Sequence, residues 1–185
     1  MRNTILFSLA TIGVGTALWA QETAKPKTER VVFDDQTFWL AYQESNSDGR
    51  VKEYLPRGEK LESWTQLAAF YEFSQPDDPK RAVETFVELI KTRYPDGRFH
   101  VLDPSEYGDV TFSFVVWPRY KEFIEFNVFK YSKKEGGGVR AQQYALREYV
   151  EKDRFLRELK PTRDRLVHLM VEQGLSTINA EKAVE

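Results

Sequence analysis

Val110-Thr111-Phe112-Ser113-Phe114-Val115-Val116-Trp117, followed after Pro118 by Ile124-Glu125-Phe126-Asn127-Val128-Phe129, decides the fold. Val110, Phe112, Phe114 and Val116 fall on every second position, as do Ile124, Phe126 and Val128. A period of two is the signature of a strand with one face on a core. The run Lys133-Lys134-Glu135-Gly136-Gly137-Gly138 supplies a hairpin loop, and Val139 to Tyr149 returns as another strand. Trp117, Phe123, Phe129 and Tyr131 lie on the faces opposite the main apolar rows. Both faces of this sheet therefore need cover, from helices, from a dimer interface or from a ligand.

Upstream, Phe38 to Tyr42 is β-prone, and Ser47-Asp48-Gly49-Arg50 carries the Asp-Gly pair of a tight hairpin. Val51 to Leu55 returns, Glu59 to Ser63 fits a short helical turn, and Thr65 to Phe73 makes a third strand. The clearest helix follows. Asp78 is placed to cap it, Pro79 occupies its first position, and Val83, Phe86, Val87 and Ile90 share one face. Pro95-Asp96-Gly97 stops it, and Phe99 to Leu102 is a short strand. Near the end, Phe155, Leu159, Leu166 and Met170 keep a helical face, with a break or kink expected at Pro161. Three strands, a helix, four strands and a helix predict a single α+β domain. Its sheet is mostly antiparallel, of about six or seven strands, with one central helix and one C-terminal helix packing on it.

The first residues have a different character. Arg2 gives a positive start, Ile5 to Leu18 is apolar apart from small residues, and Trp19-Ala20 precedes polar Gln21-Glu22-Thr23. This is the layout of a secretory signal peptide over residues 1–20, with a flexible leader at 21–30. The domain then spans 31–173 and a frayed tail 174–185. Export to the periplasm or the medium is expected, with no integral insertion after cleavage, because the apolar stretch is too short to span a bilayer.

Composition narrows the function classes. Of 185 residues, 41% are hydrophobic and 14% aromatic, enough for a sizeable core. The net charge of −2 offers no basic excess for nucleic acid. The chain has no Cys, which removes disulfides and thiolate chemistry. Neither a cofactor motif nor a two-His zinc pair is present.

The candidate clusters are sparse. His100, on the strand predicted over Phe99 to Leu102, has Asp103, Glu106 and Asp109 within nine residues, the one grouping that could serve a small carboxylate-dependent hydrolase. No nucleophile is tied to it by spacing. His168 lies between Asp164 and Glu172 at helical spacing, which reads as an exposed charge ladder. The glycines at 136–138 follow two lysines but lack the Lys-Ser/Thr and the helix of a phosphate loop. The segment from Glu53 to Leu67 delivers Trp64 through a turn, either as a core anchor or, with Glu59, as a recognition surface. Trp117, Phe123 and Tyr131 complete the expected binding residues.

The stretch Glu53-Tyr54-Leu55-Pro56-Arg57-Gly58-Glu59 with Trp64-Thr65, and Gln142-Gln143-Tyr144 to Arg147 later, resembles small exported bacterial proteins of uncharacterised function. The element order also resembles PsbP-like sandwiches, which implies helices on both sides of an antiparallel sheet and a binding or assembly role. The expectation is an exported, non-enzymatic binding or interaction module for an unknown protein or small apolar ligand, with a homodimer as one way to cover the second sheet face. The alternatives are the hydrolase or an exported inhibitor of a partner enzyme.

Overall fold

The computed structural model describes residues 29–102, 105–106, 108–118, 123–149 and 152–178. The expected signal peptide, the expected leader to residue 28, Asp103 and the expected tail from 179 lie outside the described residues. The elements are β1 (Arg30–Phe33), β2 (Gln36–Asn46), β3 (Gly49–Leu55), β4 (Gln66–Phe73), α1 (Pro79–Arg93), β5 (Arg98–Val101) and β6 (Val110–Val116). They continue as β7 (Ile124–Lys133), β8 (Val139–Glu148), α2 (Lys152–Glu172) and β9 (Ser176–Ile178). All nine strands form one antiparallel sheet in the order β5-β6-β7-β8-β4-β3-β2-β1-β9.

The class is as expected, a single α+β domain, but the sheet has nine strands rather than six or seven. One addition comes from a two-residue turn at Asp34-Asp35, both at positive φ (51° and 58°), which folds β1 onto β2. Aspartate tolerates this left-handed conformation, but Asp-Asp is a weaker hairpin signal than Asp-Gly. The other is β9, formed from residues assigned to the frayed tail and paired with β1. Gly174, at φ 62°, ends α2 and lets the chain pass close to the sheet. A Cβ there would come within 2.3 Å of Gln142 Oε1, which accepts the Leu175 N–H.

Alternation places two cores on the two faces. On one, Ala82, Val83, Val87 and Ile90 of α1 pack on Phe112, Phe114, Phe129, Tyr131 and Val139. On the other, Phe155, Leu159, Leu166 and Met170 of α2 pack on Phe33, Phe38, Tyr54, Phe126 and Val128. The sheet curls around α2. Although β1 and β8 are separated by three strands, the rings of Phe33 and Tyr144 approach to 4.7 Å. Helices on opposite sides thus cover both apolar faces.

Asp78 caps α1 as expected, its carboxylate accepting the Arg81 N–H at 2.7 Å, with Pro79 at the start. Residues 59–63 make turns and no helix. α2 runs through Pro161 without the expected break. Proline interrupts one backbone hydrogen bond, at about 3 kcal/mol, whereas the apolar side chains on either side share one core and hold both halves in place. Among the described residues, no helix is long and apolar enough to cross a membrane.

Candidate functional site

Two places gather chemistry-bearing side chains. The first is a polar row inside the α1 face of the sheet. Register pairs Glu125 with Arg147, Phe129 with Gln143 and Ala69 with both Gln143 and Glu53, so these side chains share one face. Arg147 donates from Nε and Nη2 to Glu125 Oε2, at 3.0 and 2.7 Å. Asn127 Nδ2 donates to Glu125 Oε1 at 2.8 Å, and Gln143 Nε2 donates to Asn127 Oδ1 at 2.6 Å. Tyr71 completes the chain, its hydroxyl donating to Gln143 Oε1 at 2.7 Å.

The Arg147 guanidinium also lies 3.8 Å from the Trp64 ring centroid and 4.3 Å from that of Phe123. A planar cation between two rings is held by dispersion and by their quadrupoles. Glu53 is buried nearby, and burial pushes its carboxyl up to about 7, partly offset by the charge of Arg147. The row is closed to a substrate: Glu53, Glu125, Asn127, Gln143 and Arg147 are all buried. Its chemistry is internal, the joining of β4, β7 and β8 through paired polar groups.

The expected binding residues occupy several layers. Trp64 is fully buried, and its Nε1 has no acceptor among the described residues. Phe123 is buried on the opposite side of Arg147 and meets Tyr149 edge-on. Tyr131 is buried beneath α1. Trp117 is half-buried against the α2-side core, with Lys152 Nζ 4.9 Å from its ring centroid. Glu59 stitches the corner together. It accepts from Thr65 Oγ1 at 2.6 Å and from the Thr65 N–H at 2.7 Å. Trp64 and Phe123 are brought together; Trp117 and Tyr131 belong to different cores and do not share a groove with them.

The second place is a cleft of about 280 Å³ between β5 and α2, lined by His100, Leu102, Arg163, Asp164, Val167, His168 and Val171. Leu102, Val167 and Val171 make an apolar floor, and two exposed imidazoles stand over it. Arg163 donates to Asp164 at 2.7 Å within α2. Neither Glu106 nor Asp109 lines the cleft with His100. Glu106 is exposed in a turn, and Asp109 pairs with Lys130 at 3.5 Å. Among the described residues, no group of three or more His, Asp or Glu side chains is placed to hold a metal ion.

His100 and His168 line the same cleft from a strand and a helix, 68 positions apart in the chain. The ladder of Asp164, His168 and Glu172 marked one side of it, but nothing local in the sequence tied that helix face to β5.

A family model matches residues 25–175, and it describes an uncharacterised bacterial family. No curated protein and no solved structure matches significantly.

Proposed function

The chain belongs to that bacterial family, and from its own geometry we propose that it is an exported, non-enzymatic binding module whose ligand sits in the cleft between β5 and α2. The observation that carries this reading is the composition of the cleft. An apolar floor bordered by a few hydrogen-bonding groups, His100 and His168 above all, is the ordinary make-up of a binding site. Imidazole nitrogens and the Arg163 guanidinium suit a ligand that combines an apolar body with a carboxylate or another acceptor.

The carboxylates do not favour the hydrolase. Glu125 is committed to Arg147, Asp109 to Lys130, and Glu53 is enclosed where no substrate reaches it. Export rests on the layout of residues 1–20, and places the mature start near Gln21 in the periplasm or the medium.

Isotope-labelled mature protein, titrated with a collection of small carboxylate-bearing fragments, tests the reading. Binders are expected to move amide signals of β5 and of α2 from Arg163 to Val171, and His168→Ala is expected to weaken them. Binders that shift only signals elsewhere would dismiss the cleft as the site. Conversion of a fragment to hydrolysis products would replace the module with an enzyme.

A further inference from the structure

We propose that the open edge of β5 takes an extended acidic segment of a partner protein as a tenth strand, its side chains alternating between apolar and carboxylate. The proposal rests on the binding reading above and specifies its partner and geometry.

β5 ends the sheet, with β6 on one side and no strand on the other among the described residues. The Leu102 N–H donates to Thr111 O at 2.9 Å, and the β5–β6 register pairs His100 with Ser113 and Arg98 with Val115. In an antiparallel ladder, bonded pairs recur at every second residue. Arg98 and His100 therefore direct their backbone groups to β6. Phe99 and Val101 direct theirs to the open side, two N–H donors and two carbonyl acceptors spaced for one incoming strand.

The two faces of that edge differ in chemistry. Arg98 and His100 project to the α2 side, where His100 lines the cleft beside His168. Arg98 has no ion pair among the described residues. Phe99 and Val101 project to the α1 side; Phe99 stacks on Phe114, and Val101 is 48% exposed although apolar. An added strand alternates its side chains in the same way. Residues on the α2 side would meet Arg98, His100 and His168, with the one lining carboxylate, Asp164, neutralised by Arg163 and the cleft floor free to receive the methylene stem of a glutamate. Residues on the other side would cover Val101. A second copy of β5 answers this poorly, since it would bring the Arg98 and His100 face against an identical one.

Three eight-residue peptides decide the matter by amide shifts on the labelled mature protein: one alternating Val and Glu, one alternating Val and Lys, and the Val/Glu peptide N-methylated at alternate backbone nitrogens. The Val/Glu peptide is expected to shift the amides of Phe99 and Val101. The Val/Lys and N-methylated peptides are expected to bind at least about tenfold more weakly, since one loses the charge match and the other the ladder. Arg98→Glu, at an exposed position, is expected to reverse the preference between Glu and Lys. Equal binding of the N-methylated peptide, with shifts confined to the cleft, would overturn strand addition and leave the cleft reading intact. Equal binding of the Lys peptide would overturn the acidic partner. Failure of all three, with fragments still binding the cleft, would sink the proposal alone. Signals of Phe99 and Val101 that move with protein concentration, without peptide, would assign the edge to a second copy instead.

Discussion

Arg147 brings one positive charge into a layer that holds two carboxylates, Glu125 and Glu53. Glu125 takes the guanidinium hydrogen bonds, so Glu53 feels Arg147 only through space while losing most of its hydration. Its carboxyl titrates at about 7 in the fold against 4.5 as its ordinary value, so the folded chain holds a proton that the unfolded chain releases. Stability from this group is complete below pH 4.5 and falls as the pH rises through 7, by about 3 kcal/mol in all. Glu53→Gln removes the dependence. Its unfolding midpoint, compared with the parent's by denaturant titration, should show little difference at pH 4 and a clear gain at pH 8. A gain of the same size at both values would refute the account. The polar positions at Glu125 and Asn127 were legible in the sequence as the alternating partners of Ile124 and Phe126. That they are buried was not, because their partners Arg147 and Gln143 lie on β8, 22 and 16 residues away.

Elements were legible where local chemistry and periodicity agreed. Asp78-Pro79 followed by Val83, Val87 and Ile90 defines α1 from its own residues, and the Asp-Gly pair marks the β2–β3 hairpin, although the two-residue loop is Ser47-Asp48 and Gly49 already pairs with Asn46 as the first residue of β3. β1 and β9 were not, since each is short and exists by pairing with a distant segment. Pro161 misled for a related reason. Its local preference breaks a helix, but Leu159 and Leu166 are buried in the same core and outweigh it. Pro161 itself is exposed, and residue 157 lacks the usual donor for its carbonyl. Pro161→Ala should therefore stabilise the protein by roughly 1–3 kcal/mol, the larger part of the helix penalty. A thermal midpoint unchanged or lowered would mean that α2 has adapted its geometry to the proline.

The whole molecule is one sheet with a separate core on each face. Ile90 anchors the α1 side and Met170 the α2 side, both fully buried. β7 contributes to both at once, with Phe126 and Val128 facing α2 and Phe129 and Tyr131 facing α1. Neither layer can lose its packing without disturbing the strand that supports the other, so the two should unfold in a single transition despite having no shared side chains. Truncating one anchor removes contacts on its own face alone. Ile90→Ala and Met170→Ala should each cost about 2–5 kcal/mol, and the double variant should lose the sum to within about 0.5 kcal/mol. Urea unfolding followed by helical circular dichroism and by Trp fluorescence checks both halves of the argument. Two separated transitions in either single variant would show that the faces unfold independently. A double variant far from additive would show that the cores communicate through the sheet even in the folded state.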